Sequence, residues 1–202
     1  AALPTWAVTL TGPGGSRPLG IAELRRAARP MGAHLIECSG NNNPDNFGLL
    51  SVAEWTGVPL AEVMGDLPRA DAAWGVLVTG EDHESSARSS VPGASWVIPL
   101  DALPRLGAFL ATEMNGAPLT LDHGAPVRLV VPGWYGCSWI KWVREIALVG
   151  PDAPATSQML EFARRTHQEG LPARARDYEP PVIDLAATPI RLERRRVNGT
   201  LE

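Results

Sequence analysis

Short apolar runs alternate with turn-forming stretches along the chain, and most of these runs have the length and β-branched content of strands. Each run is bounded by Gly, Pro or a polar cluster, which is typical of strand ends. The stretch GPGGSRP at 12–18 predicts a turn after the first strand. The sequence predicts strands at 6–10, 33–38, 74–80, 95–100, 127–133 and 140–149, of which the last two have the strongest β pattern.

Helical spacing of apolar residues is less frequent than strand-like alternation. It predicts a helix at 21–29, which Pro30 ends, and an amphipathic helix at 157–168. The segment 51–64 is predicted as two short helices, and 102–116 as a short helix followed by a strand and a turn. Strands and helices alternate irregularly and no repeat is present, which favours a mixed α+β fold over a regular doubly wound sheet.

Length and composition fit one globular domain. The chain has 202 residues, of which 45% are hydrophobic and 20% charged. We expect one domain at 1–189 and a C-terminal tail at 190–202. No apolar run approaches the roughly 18 residues that a membrane helix needs, so we expect no membrane segment. The chain starts with Ala rather than Met and shows no signal segment, which indicates a processed or excised chain.

The charge of the chain argues against nucleic acid as a partner. The formal net charge is −4, whereas phosphate neutralisation requires a basic face. The basic residues are also unevenly divided, because Lys141 is the only lysine beside many arginines.

The stretch LIECSGNNNPDNFG at 35–48 is the first candidate for chemistry. An apolar run ends in Cys38, and a serine, a glycine and three asparagines follow. One interpretation is a buried structural thiol, since free cysteine is among the most buried residue types. The other is a thiolate ligand or nucleophile, because Gly40 and the polar loop allow close approach of a bulky ligand. A soft metal accepts a single protein thiolate when a non-protein ligand completes its coordination.

The second candidate is LDHGAPVRLVVPGWYGCSWIKWVREI at 121–146. PGWYG turns the chain back, so we expect a hairpin-like unit in which His123, Arg128 and Lys141 converge at one end. Such a cationic cluster suits a phosphate or another anionic group. The alternative is a set of scattered surface charges around a sheet.

Taken together, these two stretches resemble the molybdopterin-binding domain of the sulfite oxidase family. CSGN at 38–41 matches the family's Cys-x-Gly-Asn segment. HGAPVR at 123–128, VVPGWYG at 130–136 and IKW at 140–142 match its second signature in order and spacing. The resemblance implies a mixed-sheet domain of this type over 1–189 and a molybdenum–molybdopterin cofactor.

The resemblance also implies roles for individual residues. Cys38 would be the single protein ligand of molybdenum, and Tyr178, in RDYEPP, would point at the metal's oxo ligands as a second catalytic residue. The residues implied to bind the cofactor are Cys38, Asn41, Asp82, His123, Arg128, Trp139, Ile140 and Lys141.

The implied activity is two-electron oxygen-atom transfer on a small sulfur oxyanion such as sulfite. Electrons would pass to a separate electron-transfer protein such as a cytochrome, because the chain contains no Cys-x-x-Cys-His haem motif. The resemblance slightly favours a periplasmic or other extracytoplasmic location over a cytoplasmic one. The alternatives are a reductase of sulfoxides or other oxides on the same scaffold, and a non-catalytic binding module without metal.

The chain departs from the family pattern next to the cysteine. Asn42 and Asn43 stand where sulfite oxidases have arginines that bind the oxyanion. Neutral amides lose the charge-assisted hydrogen bonds that arginines give to a dianion. We therefore expect weak sulfite affinity unless Arg88 or an arginine from 164–176 reaches the cleft. Cys137 is expected to be a buried structural thiol.

Overall fold

The computed structural model of the chain describes residues 5–41, 48–65, 67, 72–82 and 94–184, and the backbone at 196–197 and 200–201. Its strands are β1 Ala7–Gly12, β2 Gly15–Gly20, β3 Arg29–Glu37, β4 Leu50–Pro59, β5 Gly75–Gly80, β6 Ser95–Pro99, β7 Phe109–Met114, β8 Ala117–Pro118, β9 Arg128–Val130, β10 Val143–Val149, β11 Arg196–Val197 and β12 Thr200–Leu201. Its helices are α1 Ile21–Ala27, α2 Leu60–Gly65, α3 Leu103–Leu106 and α4 Ser157–Phe162. Three 3-10 turns lie at Gly136–Ser138, Ala163–Thr166 and Ala175–Asp177.

The first sheet has the order β2-β1-β10-β5-β6. Strand β1 forms a hairpin with β2 and pairs in parallel with β10. Strand β10 runs antiparallel to β5, and β5 antiparallel to β6. A strand from the beginning of the chain is therefore adjacent to one from residues 143–149.

The second sheet has the order β3-β4-β7-β8, and β9 also pairs with β7. All of its pairs are antiparallel. Apolar side chains of both sheets belong to one contiguous core, with Leu10, Trp96 and Ile146 from the first sheet and Trp55 and Phe109 from the second. Burial of these large side chains is the main source of stability, at about 25 cal/mol per Å² of apolar surface.

The predicted α+β class is confirmed, as are most of the predicted strands and the helix at the start of 21–29. Helix 157–168 is shorter than expected, because α4 ends at Phe162 and a 3-10 turn follows it. The predicted turn at 12–18 is mostly strand, since β2 begins at Gly15. No helix within the described ranges is long and apolar enough to cross a membrane.

The two short helices expected at 51–64 are wrong in their first half. Residues 50–59 form β4, and only 60–65 are helical. In β4, Ala53 and Trp55 are buried while Val52 and Glu54 are exposed, which is the period-2 alternation of a strand. Pairing with both β3 and β7 overrides the helix propensity of the Ala and Glu residues.

The expected hairpin-like unit at 121–146 is also wrong in its pairing. Strand β9 belongs to the second sheet and β10 to the first. Three backbone hydrogen bonds connect the two arms of this unit, from the N–H of Leu129 to Ile140 at 2.7 Å, of Trp142 to Gly124 at 3.4 Å and of Val143 to Val127 at 3.0 Å. The segment therefore folds back on itself as expected, but its two strands belong to different sheets and are not partners of each other.

Candidate functional site

Cys38 lies immediately after β3, where the chain leaves the second sheet. Its backbone N–H donates to the carbonyl of Leu49 at 2.9 Å, which holds the two ends of the following loop together. Its sulfur accepts a hydrogen bond from the backbone N–H of Gly40 at 3.4 Å. The side chain is half-buried, so its sulfur remains accessible.

A cavity of about 540 Å³ opens beside this sulfur. Its size lies within the range of small-molecule and cofactor sites, about 300–1,000 Å³. The cavity is lined by Ile36, Cys38, Ser39, Gly48, Leu49, Leu50, Ser51, Gly136, Cys137 and Phe162.

Asn41 connects the chain just after Cys38 to the chain just before β4. Its side-chain oxygen accepts from the N–H groups of Gly48 at 2.8 Å and Leu49 at 3.0 Å. Its side-chain nitrogen donates to the buried carboxylate of Glu37 at 2.7 Å. The sequence predicts Asn41 as a cofactor contact, but both the oxygen and the nitrogen of its side-chain amide already make hydrogen bonds within the protein. Asn42 and Asn43 lie outside the described residues.

We expect Asn41→Ala to destabilise the fold by about 2–4 kcal/mol, because it leaves two backbone donors and a buried carboxylate without their partner. Chemical denaturation measures this change, and amide exchange of Gly48 and Leu49 should accelerate with it. Thr11→Ala is the control, since the Thr11 hydroxyl also makes two hydrogen bonds but at an exposed position. Equal destabilisation by both substitutions would contradict the prediction.

Arg128 places a positive charge inside the protein. It is 4% exposed, and its guanidinium lies over the rings of Trp55 at 5.4 Å and Trp139 at 5.7 Å. Two of its nitrogens donate to the carbonyls of His123 at 3.2 Å and Trp139 at 3.4 Å. Its Nε has no hydrogen-bond partner among the described residues. Burial lowers the pKa of Arg128 to about 10.

The backbone brings His123, Arg128 and Lys141 together, as the sequence predicts. Gly124, at φ +96°, allows this close approach, because a Cβ there would lie 2.9 Å from Cβ of Lys141 and 3.1 Å from Cβ of Arg128. The exposed ring of His123 shares a 2.7 Å hydrogen bond with Thr120. The three residues are thus neighbours along adjoining backbone, and a shared anion site formed by their charged ends stays a prediction.

The segment 136–141 joins the cationic residues to the cavity. At its start, a Cβ on Gly136 would lie 3.3 Å from the carbonyl oxygen of Glu37, next to Cys38. At its end, the carbonyl of Trp139 accepts from Arg128, and Ile140 and Lys141 follow. The backbone of one short segment thus contacts both regions that the sequence singles out.

Asp82 lies at the end of β5, near the same segment. Gly80 pairs with Val143, and the N–H of Glu81 donates to the carbonyl of Trp142 at 3.0 Å. The two residues before Asp82 therefore pair with the two residues after Lys141, which places the backbone of Asp82 near Lys141. Arg88 lies outside the described residues.

Tyr178 does not line the Cys38 cavity, and it borders a separate small pocket together with Trp96 and Met159. Its hydroxyl forms a hydrogen bond with Thr166, and its ring packs edge-on against Trp96 at 5.4 Å. Burial raises the pKa of Tyr178 above its ordinary value. Its catalytic role stays a prediction.

Cys137 lines the same cavity as Cys38. Burial raises its pKa to about 12, so it remains a neutral thiol at physiological pH. The expected structural role agrees with this environment, although the side chain is only half-buried.

Three residues near the cavity are not among those predicted from the sequence. Glu37 bonds Asn41, Phe162 lines the cavity, and Arg165 lies over the ring of Phe162 at 5.6 Å. Phe162 and Arg165 come from a segment more than 120 residues after Cys38, and only the expectation of an arginine from 164–176 pointed toward it.

Comparison with known proteins identifies the family. The model of a family described as "Oxidoreductase molybdopterin binding domain" matches residues 2–157. Sulfite oxidase of Gallus gallus is 30% identical over 174 residues, 78% of this chain and 38% of that protein. A nitrate reductase [NADH] of Cichorium intybus is 30% identical over 133 residues, 58% of this chain and 14% of that protein.

One solved structure supports the same fold. The sulfane dehydrogenase SoxCD from Paracoccus pantotrophus superposes with a TM-score of 0.63 at 22% identity, covering 73% of this chain and 39% of that one. At this identity the likeness concerns the fold alone. The chain spans less than two fifths of the length of these relatives.

Proposed function

Because the chain belongs to the family of oxidoreductase molybdopterin-binding domains, we propose that it catalyses two-electron oxygen-atom transfer on a small sulfur oxyanion such as sulfite. The family implies a molybdenum–molybdopterin cofactor. The observation that carries the proposal is a half-buried thiol in a cavity of ligand size, connected through one backbone segment to a buried cation.

The residues present fit this cofactor. Molybdopterin carries a phosphate at one end and a dithiolene that binds the metal at the other. Arg128 is a buried cation with an unpartnered Nε, and no carboxylate within the described ranges forms a salt bridge with it. A buried charge of this kind is costly unless an anion compensates it.

Each residue of the site has a proposed task. Arg128 and the flanking His123 and Lys141 would hold the anionic end, with Asp82 and the backbone at Trp139 and Ile140 beside the pterin. Cys38, whose sulfur accepts a hydrogen bond from the Gly40 N–H, would bind the metal as a thiolate. The bound cofactor supplies the redox chemistry, and these side chains orient it and set its electrostatic environment.

Electrons would leave to a separate electron-transfer protein, such as a cytochrome, or to a domain outside this sequence. The sequence contains no Cys-x-x-Cys-His motif that would attach a haem within the chain itself.

A second candidate is the reduction of a sulfoxide. Ile36, Leu49, Leu50 and Phe162 give the cavity apolar walls. Such walls suit the alkyl groups of a neutral sulfoxide better than they suit a small dianion.

Elemental analysis and steady-state assays test both candidates. Protein produced where cofactor synthesis is intact should contain one molybdenum per chain and oxidise sulfite with an artificial electron acceptor. Turnover of methionine sulfoxide with an artificial donor, and none of sulfite, would favour the second candidate. Protein without molybdenum under these conditions would refute both and leave a binding module.

A further inference from the structure

We propose that Arg165 binds the charged oxygens of the substrate beside Cys38 and so selects an anionic substrate over a neutral one. This inference rests on the proposed function, because it assigns the substrate class of the same site. It names a residue outside the family motifs that the sequence matches.

The guanidinium of Arg165 lies close to the sulfur of Cys38, on the side of Gly40. A methyl group placed on Gly40 would lie 3.6 Å from Sγ of Cys38 and 3.9 Å from Nη1 of Arg165. One small group would therefore contact both the sulfur and the guanidinium. An oxyanion bound next to the metal ligand occupies a space of this size.

The position of Arg165 is fixed by its own segment. Its guanidinium lies over the ring of Phe162 at 5.6 Å, and Phe162 lines the cavity. The next residue, Thr166, bonds to the hydroxyl of Tyr178 and to the carbonyl of Phe162 at 3.0 Å. A cation held over an aromatic ring loses less freedom on binding an anion than a freely rotating side chain.

The charge of Arg165 is available for a ligand. Arg29, Arg144, Arg174 and Arg176 each form an ion pair with a carboxylate. Arg165 forms none with any described residue, although it lies next to a cavity. Its planar guanidinium can donate two parallel hydrogen bonds to an oxyanion.

Arg165 also compensates for the charges that are missing next to Cys38. Asn42 and Asn43 carry no charge where sulfite oxidases have arginines. Arg165, which comes from a different part of the chain, would supply one charge-assisted hydrogen bond to the bound anion. The site then keeps its preference for an anion without the arginines that follow the cysteine.

The test compares Arg165→Gln with Arg164→Gln in the molybdenum-loaded protein. Both residues are exposed neighbours of equal charge, but only Arg165 lies over a residue of the cavity wall. Titration calorimetry with sulfate, a stable dianion, should show about tenfold weaker binding for Arg165→Gln and less than twofold for Arg164→Gln. The KM for sulfite should rise by a similar factor while kcat changes less, and the KM for methionine sulfoxide should not change.

Gly40→Ala is a second variant that keeps every charge. The added methyl makes ordinary van der Waals contacts, so the fold should tolerate it, yet it fills the space between sulfur and guanidinium. Sulfate affinity should fall here as well. Molybdenum content should stay at one per chain in all three variants, and its loss would count against the proposed function rather than against Arg165.

Three results would overturn the inference. They are equal sulfate affinity in Arg165→Gln and the unchanged protein, equal loss in Arg164→Gln, or unchanged sulfate binding in Gly40→Ala. If no variant oxidises sulfite, the sulfate titration still decides the role of Arg165.

Discussion

Cys38→Ser should lower turnover by on the order of a thousandfold or more, while molybdopterin remains bound. Serine has no sulfur, and its hydroxyl is far less acidic than a thiol, so it does not present an anionic ligand to the metal at neutral pH. The cationic residues around Arg128 remain intact in this variant and should retain the anionic end of the cofactor. Turnover with sulfite and pterin released on denaturation are the two measurements.

Cys137→Ser is the matched control for this prediction. It changes the other cysteine in the same cavity, whose burial raises its pKa to about 12 and keeps it neutral. Turnover should fall by less than about threefold, since a neutral thiol beside the site has no charge to supply. A comparable loss of activity in both variants would show that the cavity, rather than the Cys38 thiolate, is what the substitutions disturb.

The sequence predicts the order of elements well where apolar runs are bounded by turn residues. Strands β5 and β6 follow directly from such runs. It fails at 51–59, where Ala53 and Glu54 favour a helix and only pairing with β3 and β7 makes the segment a strand. The parallel pairing of β1 with β10 joins residues far apart in sequence, and no local pattern specifies it.

The candidate site, too, is predicted from the sequence only in part. The sequence motifs identify Cys38, His123, Arg128 and Lys141. In the structure, the backbones of His123, Arg128 and Lys141 lie together around Gly124. Arg165 could not be identified individually, because its relation to Cys38 depends on how the segment after α4 returns to the end of β3. Likewise, the motif predicts Asn41 as a cofactor contact, whereas its hydrogen bonds to Glu37 and to the backbone of Gly48 could not be read from the sequence.

Arg128→Met should have opposite effects on the cofactor-free and the cofactor-loaded protein. Burial in the folded state lowers the pKa of this guanidinium from its ordinary value to about 10, because burial disfavours its charge. The penalty is fully present below about pH 10 and is relieved as the pH rises above that value, so at neutral pH the folded state carries all of it. Replacing the cation with an apolar side chain of similar length should raise the stability of the cofactor-free protein by as much as about 3 kcal/mol.

Cofactor retention should change in the other direction. The anionic end of molybdopterin compensates the buried charge of Arg128. Arg128→Met removes this attraction between the cofactor and the guanidinium. Molybdenum should fall from one per chain to a small fraction after gel filtration. Arg144→Met is the control, since Arg144 also lies over a tryptophan but is exposed and paired with Glu81. Full molybdenum content in Arg128→Met, or a loss of several kcal/mol in its cofactor-free form, would show that Arg128 is a structural cation stabilised by Trp55, Trp139 and two carbonyls alone.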